Sequence, residues 1–375
     1  MPPIHNARPA HAEFLLLLLV AALGLAACGR AGAAPPAVPM ETVMQIIRAY
    51  GHGHQGTPAP ALPESPDTAE MAYGERVHSL LEQGNYAELE SLAQINRSER
   101  GRFIAGAWRN INFFNSVVWM PGAALPRDSD YQRQSEKLNK WQAARPDSAS
   151  ARIALAKFYV AYADFARGTD YADTVSDRQW KQYRARTAIA KQALIEAATL
   201  KDRDPHWYFV MESIAHNEGW GKADMRELLD QAMAFEPDYY HFFRPYTTYL
   251  LPQWYGDHGE IPVFAKEIAA LRPEPAGSIT YFQVVSGIAC YCGSYIEEMK
   301  TADWPKLQLG FANLQTAYGL DDLNANRLAE MATVFQDKPI AHEAFSHVMQ
   351  RNPGVWLTED SFQQARAWAN SSDNH

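Results

Sequence analysis

The chain reads as all-α: a tetratricopeptide-like stack of antiparallel helix pairs, an α-solenoid with irregular repeats. Three observations predict this. Apolar residues recur with helical spacing from about residue 69 onward, with no convincing period-2 strand. Small and large apolar residues fall at the offsets of a 34-residue helix–turn–helix unit. And a 375-residue chain that is 47% hydrophobic, with ten tryptophans, has ample material for a buried core.

The N-terminus is a different kind of segment. An apolar run from Phe14 to Leu25 is too short to span a bilayer, which takes about 20 residues, but fits the hydrophobic region of a secretory signal. It closes on Leu25-Ala26-Ala27-Cys28, the layout of a bacterial lipoprotein signal. The expectation is cleavage before Cys28, lipidation of its thiol and amine, and anchoring through several acyl chains, each methylene contributing about 0.8 kcal/mol. Gly29 follows the cysteine, so nothing signals inner-membrane retention, and the expected place is the outer membrane, facing the periplasm.

Residues 28–68 read as lipidated cysteine plus flexible linker, interrupted by one short amphipathic helix with Val43, Met44, Ile46, Ile47 and Tyr50 on its apolar face. The helical domain is expected over 69–372. Its helices are predicted near 69–83, 86–96, 99–119, 129–144, 148–167, 177–201, 206–217, 223–235, 239–250, 260–271, 278–298, 304–318, 322–335, 339–351 and 358–370. Asp147-Ser148 and Asp204-Pro205 are helix entries, and Glu236-Pro237 and Asn352-Pro353 are exits. Leu328, Ala329 and Ala332, then Ala341, Phe345 and Pro353, fit one repeat unit. Leu155, Ala156 and Tyr159 match a first helix, and Ala190, Leu194 and Ala197 a second, separated by an insert that includes Gly168–Asp173. Ala232 and Pro237 end a weaker unit. Small residues let paired helices cross closely.

The net charge of −9, with no basic block, argues against nucleic acid as a partner. Beyond Cys28 the cysteines are Cys290 and Cys292, one residue apart. A bond between them would close a strained ring, and the plainer reading is two small buried residues.

The stretch Pro237-Asp238-Tyr239-Tyr240, with Tyr246 and Tyr249-Leu250-Leu251-Pro252-Gln253-Trp254-Tyr255-Gly256, and upstream Gly84-Asn85-Tyr86-Ala87-Glu88-Leu89-Glu90 and Gly106-Ala107-Trp108, resembles an uncharacterised bacterial family, a domain of unknown function with a tetratricopeptide-like helical core. The resemblance covers roughly residues 75–270. It implies the helical fold and brings no activity or catalytic residues.

Candidate chemistry is sparse. Glu212 and His216 lie four apart on one helix face, and with His258 they are the residues that a metal-dependent or hydrolytic reading would use; Asp224 and Asp257 could complete such a site. His52 and His54 sit in a glycine-rich stretch. No phosphate loop, dinucleotide fingerprint or nucleophile elbow is present, and no cofactor is expected. The aromatic cluster from Tyr239 to Tyr255 suits binding. Its candidates are Tyr246, Tyr249, Trp254 and Tyr255, the last two in a loop. The expected function is a membrane-anchored scaffold that binds a protein or peptide partner.

Overall fold

The computed structural model describes residues 35–54, 67–120, 126–168, 172–288 and 298–371. Within them the regular elements are helices, accompanied by one isolated antiparallel bridge from Arg102 to Trp108. The segment expected to be a signal, Cys28, Cys290 and Cys292 lie outside the described residues. No described helix is long and apolar enough to cross a membrane.

The helices in chain order are α1 (Met40–Tyr50), α2 (Asp67–Glu82), α3 (Tyr86–Glu99), α4 (Arg109–Val118), α5 (Asp128–Ala144), α6 (Ala149–Arg167), α7 (Asp177–Ala198) and α8 (His206–Glu218). There follow α9 (Lys222–Phe235), α10 (Phe243–Tyr249), α11 (Glu260–Ala270), α12 (Ala276–Ser286), α13 (Trp304–Tyr318), α14 (Asp322–Val334), α15 (Lys338–His347) and α16 (Glu359–Asn370). Short 3-10 turns cover Ile104–Gly106 and Tyr240–Phe242. Side-chain caps start many of them. Ser148 accepts from the Ala151 amide, Ser176 forms a capping box with Gln179, and Asp303, Asp321, Asp337 and Thr358 accept at N3 of α13, α14, α15 and α16.

The chain divides into two compact units. The first gathers the described residues up to 54 with Val77–Gln94 and Phe114–Phe235; the second gathers residues 67–76 with Ile95–Phe113 and the described residues from Glu236 onward.

In the first unit α6 and α7 form the most extensive helix pair, with α8 packed on both. Their buried faces are rich in alanine: Ala151, Ala154, Ala156 and Ala163 on α6, and Ala190, Ala193 and Ala197 on α7. The Trp207 indole of α8 donates to the Leu194 carbonyl of α7 at 2.8 Å. The helix α1, assigned from the sequence to the linker, belongs to this core. Val43, Met44, Ile46, Ile47 and Tyr50 are all buried, and each large apolar side chain so placed contributes about 1.5–3 kcal/mol. Tyr50 stacks on Trp207 with ring centroids 4.2 Å apart. The Tyr208 hydroxyl donates to the Ile47 carbonyl at 3.3 Å, and Arg48 grips Glu227 of α9.

In the second unit α11, α12 and α13 pack in succession, as do α14, α15 and α16. A Cβ on Gly310 of α13 would fall 2.2 Å from the Ser278 carbonyl oxygen of α12, so this crossing tolerates only glycine. The last three helices share a core of Ala325, Leu328, Ala329, Ala332, Ala341, Ala344, Phe345, Trp356 and Phe362. It contains the positions that the 34-residue pattern singled out on both helices of the pair.

One predicted helix is broken. The segment 99–119 is not continuous: the chain leaves α3, makes a loop over 100–108, and re-enters a helix only at Arg109. The aromatic segment 239–250 begins as a 3-10 turn before α10.

The docking of α1 yields a prediction. Ile47→Ala removes a fully buried side chain and should cost about 2–5 kcal/mol, read as a lower denaturation midpoint. A change within experimental error would mean that α1 does not pack on the first unit.

Candidate functional site

The broken helix builds the most unusual site among the described residues. Arg100 leaves α3 with φ 53°, and Ala105 (φ 59°) and Gly106 (φ 79°) follow within the next turn. Left-handed backbone at two non-glycine residues is costly and persists only where surroundings hold it. The restraints are visible. Arg100 pairs with Glu236 at 2.8 Å. The Phe103 amide donates to the Ala107 carbonyl at 2.7 Å, and the Arg109 amide to the Gly101 carbonyl at 2.9 Å. Gly106 lies against Tyr318 so closely that a Cβ would sit 3.2 Å from the ring.

The loop presents Arg102. Its guanidinium lies over the Trp108 ring at 4.5 Å and the Tyr318 ring at 5.2 Å, and Nη1 donates to the Tyr318 hydroxyl at 3.1 Å. Trp108 is itself fixed by donation to the Asp238 carbonyl at 3.1 Å. Arg102 is only 3% exposed, yet its Nε and Nη2 have no hydrogen-bond partner. Stacking on aromatic faces offsets about 0.5–2 kcal/mol. That is less than the several kcal/mol needed to desolvate a charge.

Arg102 lines a pocket of about 440 Å³. Tyr240, Tyr318, Leu271, Pro273, Ala276 and Ile279 form much of the wall, with Arg272, Asp238, Thr280 and Gln283 as polar members. Arg272 is already occupied: it bonds the Asp238 carboxylate, the Pro237 carbonyl and the Thr280 hydroxyl. Burial pushes the Tyr240 phenol above its usual range, so it stays protonated and can donate. Burial also pushes Glu236 up to about 7, against the pull of Arg100 and Arg102. The carboxyl keeps one oxygen unbonded.

A smaller pocket of about 310 Å³ lies among α13, α14 and α15, walled by Phe311, Leu320, Leu328 and Ile340. It offers no buried unpaired charge.

The residues expected from the sequence fare differently. Tyr246 and Tyr249 are 6% and 1% exposed; they are core side chains, packed on Phe264 and Tyr255 with centroids 4.7 Å apart in each case. Their helical spacing turned them inward, so they are not a binding surface. Trp254 and Tyr255 do reach the surface, each 38% exposed. The metal set does not assemble. Glu212 and His216 belong to the first unit, and His258 to the second, where its Nδ1 lies 3.0 Å from Glu298. No group of three His, Cys, Asp or Glu side chains among the described residues is placed to hold a metal. His54 stacks on Phe235 at 3.9 Å. Sequence reasoning missed Arg102. Its signal was Gly101 and Gly106, two helix-breaking residues inside a segment assigned as helix.

Glu212 is fully buried, and both carboxyl oxygens lack a partner. Desolvation raises its pKa well above 4.5, so the folded chain holds it as the neutral acid. The unfolded chain ionises it above about pH 4.5. Its contribution to stability is therefore intact below that pH and is lost as pH rises toward the folded pKa, by at most about 1.4 kcal/mol per unit. Glu212→Gln cannot ionise. Its melting temperature should gain on the parent progressively as pH rises above about 4.5. A difference that does not change with pH would show that Glu212 is ionised in the fold.

No family model matches the chain, and neither does any curated protein or solved structure.

Proposed function

We propose that this chain is a bacterial envelope lipoprotein, held by lipid on Cys28 at the periplasmic face of the outer membrane, whose helical body binds a peptide or protein segment. The anchor part rests on Leu25-Ala26-Ala27-Cys28 behind a short apolar run. The binding part rests on one observation: the pocket of about 440 Å³ whose wall includes a buried arginine with two nitrogens, Nε and Nη2, unbonded. Concave apolar pockets with a few placed polar groups are the usual form of a ligand site, and helical repeats present such surfaces to peptides.

Binding is favoured over catalysis by the chemistry of the wall. Guanidinium and phenol groups hold an anion by donating to it. Asp238, the carboxylate of the lining, is tied to Arg272. The metal-dependent reading through Glu212, His216 and His258 gains no support among the described residues, where no group of three His, Cys, Asp or Glu side chains could hold a metal.

Two measurements test the proposal. Cys28→Ala should move the protein from the outer-membrane fraction to the soluble periplasm; a variant that still sediments with membrane would refute the lipid anchor. A photoreactive residue at Leu271, on the pocket rim, should crosslink a defined partner in cells. The same residue at Val263, equally exposed on α11 but outside the pocket, should not. Equal labelling at both positions, or none at either, would refute the binding role.

A further inference from the structure

We propose that the pocket holds a proline-bearing stretch of an uncharged peptide segment, its ring against the tyrosine faces and its carbonyls accepting from the Tyr240 hydroxyl and the Gln283 amide. The inference rests on the binding reading above and names the chemistry of the segment bound.

Every lining residue of the pocket belongs to the second unit. Helix α12 supplies one wall through Ala276, Ile279, Thr280 and Gln283. That spacing puts all four on one helix face, so the Gln283 side chain leaves α12 on the side that meets the cavity. Tyr240 comes from the turn after α9, and Leu271 and Pro273 from the connection between α11 and α12.

Most polar groups of the lining are engaged. Arg272 bonds the Asp238 carboxylate, the Pro237 carbonyl and the Thr280 hydroxyl. Arg102 donates Nη1 to the Tyr318 hydroxyl, and its Nε and Nη2 are buried away from the cavity. Two groups differ. The Tyr240 hydroxyl and the Gln283 amide make no hydrogen bond to a described residue, and neither is among the buried unbonded polar atoms. Both side chains are half-buried. They keep accessible surface, and they are the polar groups that a ligand can meet.

The charge balance selects a neutral ligand. Guanidinium and phenol together suit an anion, but here each guanidinium of the lining already faces a carboxylate. Arg272 pairs with Asp238, and the buried Glu236 acts on Arg102 as well as on Arg100. Around the Tyr240 phenol the cations Arg102 and Arg327 are met by the anions Asp321 and Glu70. An incoming anion would give up its hydration and find no cation left to replace it.

The hydrogen-bonding balance selects proline. The Gln283 amide brings two N–H donors and one acceptor oxygen, and the phenol adds a donor. An ordinary residue carries an N–H with every carbonyl, and a buried N–H without a partner is costly. Proline has the carbonyl and no N–H. Its ring lies flat on the faces of Tyr240 and Tyr318, beside Leu271 and Ile279, and a polyproline segment has little ordering entropy to lose. The cavity of about 440 Å³ takes one or two such residues.

The test is calorimetric titration of the full lipoprotein in phospholipid nanodiscs. The probes are the blocked peptide acetyl-Ala-Leu-Pro-Leu-Pro-Ala-amide, the same peptide with alanine at both proline positions, and 4-phenylbutyrate as an apolar anion. The proline peptide should bind saturably, and raising salt from about 0.05 M to about 0.5 M should leave its affinity unchanged. The alanine peptide should bind about 10-fold more weakly or worse, and phenylbutyrate should not compete. Tyr240→Phe and Gln283→Met each remove donors while keeping the bulk of the side chain. Each should weaken the proline peptide about 3- to 10-fold.

Equal binding of the proline and alanine peptides would overturn the proposal, as would tighter binding of phenylbutyrate than of either. Parent-like affinity in both variants, or no binding of the proline peptide up to millimolar concentration, would overturn it too. In each case the Leu271 crosslink separates the two claims: if it persists, the protein binds a partner by other chemistry; if it is absent, the binding role fails as well. Should a variant not fold, judged by its thermal melt, the proline–alanine comparison and the salt series on the parent chain decide the matter unaided.

Discussion

Close helix crossing over small side chains is the constraint on which the rest depends. Gly310 permits α12 and α13 to approach to a distance that no Cβ would allow. Alanines do the same work between α6 and α7 and between α14 and α15. Helices that come this close leave little room for large rings along their seams. The aromatic residues therefore collect where a third element meets a pair. Tyr50, Trp207, Tyr208 and Phe235 fill such a corner in the first unit, and Phe345, Trp356 and Phe362 fill one in the second.

The candidate site lies where this regular pairing is interrupted. A helix continued from α3 through Arg109 would place Arg102 on a helical surface like any other arginine. The left-handed residues turn the chain back, bring Arg102 beside Trp108, and lay both against the C-terminal end of α13. The strain has an identifiable return, since the same turn that costs backbone energy positions a cation in a cavity wall.

Glu212 and Arg102, two buried ionisable groups with unbonded polar atoms, respond differently to their surroundings. Glu212 escapes the cost of a buried charge by taking up a proton, and its neighbourhood needs no ligand to explain it. Arg102 has no such route. The carboxyl can shed its charge, whereas the guanidinium keeps it and is held by the Trp108 and Tyr318 rings and the Tyr318 hydroxyl.

Helix positions were legible because periodicity and capping are local. Ser148, Ser176, Asp303, Asp321 and Thr358 cap where a serine, threonine or aspartate precedes an apolar-periodic run, and α13 begins and ends where its spacing says. The site was not legible, because Arg102, Tyr240, Arg272 and Tyr318 are far apart in the chain and only packing unites them. The aromatic cluster misled for a related reason. Composition marks Tyr246 and Tyr249 as binding residues, but their three-residue spacing places both on the buried side of α10, and the Trp254–Tyr255 turn alone is left at the surface. The helix α1 was visible as a helix; that it docks could not be read from ten residues, since its partners lie more than 150 positions away.

That docking sets a length. With α1 held on the first unit, the chain between the proposed anchor and the folded body is residues 29–39. Fully extended, these eleven residues reach about 40 Å at most, and three of them are proline. Under the proposed anchor the body would be confined to a shell close to the bilayer, not free to sweep the width of the compartment on a linker running to residue 68. A partner rooted in the same membrane would meet it at a high effective concentration, whereas one tethered to the opposite membrane would have to extend most of the way across.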